Sequence, residues 1–134
     1  MEEGKDQMID IKGKRVFISG PMSGLTRHNV AAFAEAHADI REAGAGEVFD
    51  PAIHYLQEYG ERADRKVHAD YMADCLHELT KRRCYGLTLR EYAPMKYDLL
   101  VSLPGWERSE GARFEREVAQ ACNIPVCDLE EVFA

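Results

Sequence analysis

Apolar and polar positions fall into blocks whose period switches between strand-like and helical along the chain. Arg15-Val16-Phe17-Ile18-Ser19 is a run of β-formers cut by Gly20-Pro21 and again by Gly24, which predicts a buried strand and a glycine loop. From Asn29 to Ala43, Val30, Phe33, His37 and Ile40 recur on one helical face until Gly44-Ala45-Gly46 stops the pattern. Glu47-Val48-Phe49 makes a short second strand ended by Asp50-Pro51, and the polar stretch Gln57 to Arg65 precedes a helix from about Val67 to Leu79. Residues 80–96 follow no period and read as a surface excursion, a lid or an interface loop. Tyr97 to Leu103 gives a third strand, Gly111 to Cys122 a further helix, and Ile124 to Cys127 a fourth strand. Strands alternating with helices predict a single-domain, Rossmann-like (flavodoxin-like) α/β fold. It is a three-layer sandwich around a central parallel sheet, with right-handed crossovers. Residues 1–12, charged and mixed, read as a flexible arm ahead of a domain over 13–134.

Ligands of such sheets sit at the carboxyl ends of the strands. The two glycine-bearing loops, Ser19 to Gly24 and Gly105 to Gly111, both follow strand ends and are therefore expected to meet at one edge. The Gly111 to Cys122 helix adds an anomaly there. Ala112, Phe114, Val118, Ala119 and Cys122 form its apolar stripe, with Arg113, Arg116, Glu117 and Gln120 opposite, and Glu115 falls within the stripe. A buried carboxylate costs several kcal/mol unless it is partnered, so Glu115 has either a structural partner, such as its own helix N-terminus, Arg27 or Arg108, or a chemical use.

The chain has 134 residues, 46% of them hydrophobic, enough for one domain with a core. Its net charge of −7, with no basic run longer than Lys81-Arg82-Arg83, argues against a nucleic-acid polymer as partner but leaves room for a small anion. No apolar run reaches the ~18 residues that span a bilayer, so no membrane partner and a cytoplasmic location are expected. Cys75, Cys84, Cys122 and Cys127 form no CxxC pair and read as reduced thiols; a zinc site from Cys75, His77 and Cys84 lacks tight ligand pairs, so no metal is expected.

Ser109 two residues before Gly111 at a helix start suits either an N-cap or an anion held by backbone N–H groups. Together with Phe17-Ile18-Ser19-Gly20-Pro21-Met22-Ser23-Gly24, with Asp74 on the middle helix and with Leu103-Pro104-Gly105-Trp106-x-x-Ser109-x-Gly111-Ala112-x-x-Glu115, it resembles the nucleoside 2-deoxyribosyltransferase-like superfamily. The likeness spans most of residues 15 to 127 and includes small bacterial and phage members as well as 2′-deoxynucleoside 5′-phosphate N-hydrolases as relatives. The resemblance implies an enzyme without cofactor that cleaves or exchanges an N-glycosidic bond. In it Glu115 is the nucleophile, Asp74 orients or protonates the leaving base, and Ser109 holds the 5′-phosphate. Ser19, Gly20, Pro21, Met22 and Gly24 form the loop facing sugar and phosphate, and Asp98 is structural. Relatives also imply a homodimer. Two departures stand out. Several relatives carry a tyrosine before Ile-Ser-Gly where this chain has Phe17, and residues 80–96 are longer than the corresponding connection, so they can cover or reshape the pocket.

The residues by themselves keep other readings open. One carboxylate against an anomeric carbon and an acid near the departing base form the minimal set for N-glycoside cleavage, and Glu115 and Asp74 fit it. Asp74 sits on a helix margin where a solvated acid is ordinary. Trp106 suits base stacking and packing equally, and Arg108 is the phosphate-partner candidate nearest Ser109. A nucleotide-binding or sensing module without chemistry is the alternative, as is a deoxyribosyltransferase.

Overall fold

The computed structural model describes residues 9–22, 25–62, 64–83 and 94–132, the Arg65 side chain excepted. Gly24, Cys84 and the middle of the 80–96 excursion lie outside them. Among the described residues four strands form the sheet: β1 (Arg15–Ser19), β2 (Glu47–Phe49), β3 (Leu99–Ser102) and β4 (Val126–Asp128). All pairs are parallel, in the order β2-β1-β3-β4. The helices are α1 (Val30–Glu42), α2 (Pro51–Tyr59), α3 (Arg65–Leu79) and α4 (Glu110–Ala121). The chain steps from β1 outward to β2, then returns past β1 to β3, so the order reverses between β1 and β3. At such a reversal the connections diverge onto opposite faces and leave a crevice at the strands' carboxyl ends.

The sheet is buried on both faces, as parallel sheets require. Val16, Phe17, Ile18, Leu100 and Val101 are fully buried, and Phe33 and Ile40 of α1 and Cys75 and Leu79 of α3 are equally inaccessible. Phe17 stacks on Phe49, with ring centroids 5.1 Å apart, and meets the Tyr97 ring edge-on. Position 17 is thus a core position. A phenol there would need a buried partner of its own.

Two expectations need correction. Asp50-Pro51 ends β2 but also starts α2: the Asp50 carboxylate accepts from the N–H groups of Ala52 and Ile53, and Pro51 takes the first helical position, where a missing N–H costs nothing. Residues 9–12 are not loose. Ile11 is buried in the core and the Ile9 N–H donates to the Glu131 carbonyl at 3.1 Å. The root of the 80–96 excursion is also defined. The Arg83 N–H donates to Pro94 O at 2.8 Å and the Lys96 N–H to Lys81 O at 2.7 Å, while Lys96 Nζ pairs with Glu47 and Glu78. The Asp98 N–H donates to Arg15 O, and the Asp98 carboxylate accepts the Arg15 N–H and pairs with Arg83. The excursion therefore leaves and re-enters the fold at the amino ends of the strands, the edge opposite the crevice. Asp98 has the structural role expected of it.

Candidate functional site

The carboxyl ends of β1, β3 and β4 place Ser19, Ser102 and Asp128 in register, a polar row closing an apolar sheet. Helix α4 crosses this row, held at its start by the Ser109 hydroxyl, which accepts the Ala112 N–H at 3.2 Å. Two consecutive α4 side chains reach down to it. Ser19 Oγ donates to Glu115 Oε1 at 2.6 Å, and Arg116 Nη1 donates to Ser102 Oγ at 2.9 Å and to Asp128 Oδ1 at 3.1 Å. Arg116 also lies over the Trp106 ring at 4.1 Å, and Trp106 Nε1 donates to Asp128 Oδ1. Arg116, assigned by periodicity to the outer face, is thereby drawn inward, and Phe114, assigned to the apolar stripe, is 48% exposed. Trp106 is occupied as a packing residue and does not line the cleft.

The cleft between these loops has a volume of about 790 Å³ and is lined by Gly20, Pro21 and Met22 from the β1 loop, by Leu103 to Gly105 and Arg108 to Ala112 from the β3 loop and α4, and by Glu115. The two loops do meet. His28, Asn29, Tyr55, His68, Tyr71 and Met72 also contribute to the wall. Gly20 has a packing reason to be glycine: a Cβ there would lie 2.8 Å from the Leu103 Cβ. Gly20→Ala is expected to destabilise the fold by about 1–3 kcal/mol through overpacking, read as a lower urea midpoint at unchanged slope; an unchanged midpoint would show that the β1–Leu103 contact yields. Gly111 similarly lets α3 approach, since its Cβ would meet Met72 Sδ at 3.1 Å.

Glu115 is 5% exposed, and no cation pairs with it among the described residues. Arg27 instead faces Glu61, and Arg108 lines the cleft with no ion pair among the described residues. The carboxylate accepts from the neutral Ser19 hydroxyl, and the neutral Cys75 thiol beside it also favours the charged form. Burial outweighs both and pushes its pKa from an ordinary 4.5 up to about 7. Cys75 is in turn coupled to the Tyr71 phenol, which donates to Met22 Sδ, and desolvation pushes both groups up and keeps them neutral. Ser19 is thus fully buried beneath the cleft, not facing it, and orients Glu115.

Asp74 is placed elsewhere. Its carboxylate accepts from the Tyr59 hydroxyl at 2.5 Å, lies 3.9 Å from His54 Nε2, and is not part of the cleft wall. Helical projection put it at the stripe margin; the missing information was α2, whose Tyr59 and His54 hold it from the far side. Cys75 and Tyr71, both legible as stripe residues of α3, were the overlooked members. His28, in a segment with no period, gave no sequence signal.

Among the described residues, no helix is long and apolar enough to cross a membrane. A family model described as a domain of unknown function, DUF4406, matches residues 14–128. No curated protein and no solved structure matches the chain.

Proposed function

The chain belongs to the DUF4406 family, and for it we propose cleavage of the N-glycosidic bond of a nucleoside 5′-monophosphate, or of the nucleoside, through a glycosyl-enzyme intermediate on Glu115. The observation that carries the reading is a buried carboxylate on the cleft wall, hydrogen-bonded by Ser19 and with no cationic partner among the described residues. A purely structural carboxylate at that depth would be expected to have a charged partner. In the first step a Glu115 oxygen bonds to the anomeric carbon as the C–N bond breaks. The electron pair leaves with the base nitrogen, which takes up a proton. Water then attacks the same carbon, loses a proton to solvent, and frees the carboxylate with the sugar phosphate as product. A second base in place of water would give transfer.

The phosphate end is assigned to the α4 N-terminus, where Ser109, Gly111 and Arg108 line the cleft and the helix dipole favours an anion. One observation favours a second reading, a nucleotide-binding or sensing module: Asp74, the acid for the departing base, is turned to Tyr59. A homodimer, cytoplasmic and free of cofactor, stays within the proposal, and exposed Phe114 beside Met72, bordered by Glu110, Arg113 and Glu117, is the surface offered for pairing.

The test is chromatography of the full chain with a panel of ribo- and deoxyribonucleosides and their 5′-monophosphates. Free base supports the glycosidic reading; ligand-induced rises in melting temperature with no base released support the binding module. Only ionised Glu115 attacks, so the rate should climb with pH through about 7. In Ser19→Ala the lost hydrogen bond no longer favours the charged form, and this limb should move up by about half to one unit. A limb that stays in place would assign the titration to another group.

A further inference from the structure

Arg116 stands one residue beyond Glu115 on α4, and the reaction outlined above makes no use of it. Successive side chains on a helix point about 100° apart, so Phe114 and Arg116 flank the buried line of Ala112, Glu115 and Ala119 on opposite sides. Apolar burial alone would bring the Phe114 flank inward. The helix is turned the other way: Phe114 is 48% exposed, while the Arg116 side chain keeps only 19% of its surface.

The arginine is held on three sides. Its Nη1 donates to Ser102 Oγ at 2.9 Å and to Asp128 Oδ1 at 3.1 Å, and its guanidinium lies 4.1 Å from the centre of the Trp106 ring. Its partners are anchored in turn. Asp128 ends β4 and caps the Leu129–Glu131 turn, and its N–H donates to Glu131 Oε1 at 2.8 Å. Trp106 Nε1 donates to Asp128 Oδ1 at 3.0 Å, and Trp106 O accepts the Ser109 N–H, so the same grip reaches the turn that opens α4. Glu115 is held more lightly, by the Ser19 hydroxyl and the thiol beside it, and burial works against its ionised form. A turn of α4 that released this carboxylate into the open cleft would drive the Arg116 guanidinium under the helix, stripped from Ser102 and Asp128 and left as an unpaired charge against the sheet.

We infer that Arg116 is the positioning residue of the cleft: gripped by Ser102, Asp128 and the Trp106 ring, it fixes the rotation of α4 at which Glu115 stays buried on Ser19. Its part in the reaction rests on the N-glycosidic reading; its hold on α4 does not. The test is a double-mutant cycle on the full chain, read as the melting-temperature gap between Glu115→Gln and its parent, with Arg116 present and with Arg116→Met. Methionine keeps an unbranched apolar stem against Trp106 and leaves the helix free to turn. Near pH 8.5 the gap is expected to be about 10 °C with Arg116 present and to shrink to less than about half of that in Arg116→Met, because the carboxylate then reaches water. An unchanged gap would make Arg116 a support of the fold only, and a wider one would make it a charge acting at a distance; either overturns the inference, as does the absence of any gap with Arg116 present. Should Arg116→Met not fold, Arg116→Lys, which keeps the charge but lacks the planar group that stacks on Trp106, is read by the same rule. In base release, Arg116→Met should lower kcat by about tenfold or more and leave KM within about threefold, and an unchanged kcat also overturns the inference. If the parent releases no base from any nucleotide, the glycosidic reading fails, and the melting cycle still decides whether Arg116 sets the carboxylate.

Discussion

Replacing Glu115 with alanine is expected to slow release of free base by about a thousandfold or more, while nucleotide remains bound. The expectation follows from the division of the cleft. On the proposed reading, phosphate contacts fall to the Ser109 turn and Arg108 and the apolar wall to the β1 loop and α2, so removing one carboxylate would delete the bond-forming atom and leave the rest of the surface. Deleting the nucleophile should therefore lower the rate constant far more than the affinity. The measurement is single-turnover base release beside equilibrium binding, with the variant's fold confirmed. Turnover equal to that of the parent would remove Glu115 from the reaction altogether.

Glu115→Gln should change stability in a pH-dependent way. Burial raises the carboxyl from 4.5 to about 7 in the folded protein, so the folded state holds its proton more tightly than the unfolded chain does. The stabilisation that comes with the protonated form is complete below the unfolded value and is lost as pH rises through about 7. A shift of this size corresponds to about 3 kcal/mol by the alkaline side, at about 1.4 kcal/mol per unit. The facing groups do not cancel it: Cys75 and Tyr71 on α3 are both pushed up and stay neutral, and Ser19 on β1 does not titrate. Wild type and Glu115→Gln should melt together near pH 5, and the variant should melt about 10 °C higher near pH 8.5. The same gap at both pH values would mean that the ionised carboxylate is well solvated and that its burial has no energetic consequence.

Most of the architecture is legible in the sequence because the sheet is buried on both faces and its strands read as continuous apolar runs. Arg15 to Ser19 is the clearest case, and Gly44 and Asn123, both in left-handed conformation, mark helix ends as glycine and asparagine do. Glu115 is legible because a carboxylate interrupts an apolar stripe. The remainder depended on side chains whose direction no periodicity fixes. Asp50-Pro51 satisfies a strand end and a helix start at once, so α2 was missed, and with it Tyr59, which turns Asp74 away from the cleft. Arg116 is long enough to leave its own face for Ser102 and Asp128, and no pattern of positions records that reach. His28 owes its burial to a strained turn and to Tyr55, both tertiary facts.

Strand β3 carries two connections of opposite character. Its carboxyl end opens into the Leu103 to Gly111 turn, where an added Cβ on the facing Gly20 would collide with Leu103 and one at Gly111 would press on Met72. Its amino end follows the neck that joins Lys81 and Arg83 to Pro94 and Lys96. Chain length inserted beyond that neck changes mainly a closure entropy that grows only with the logarithm of length. Descendants of this sequence can therefore gain or lose whole segments at one end of the strand without disturbing the cleft at the other, and the neck is the place to graft a reporter or a binding peptide.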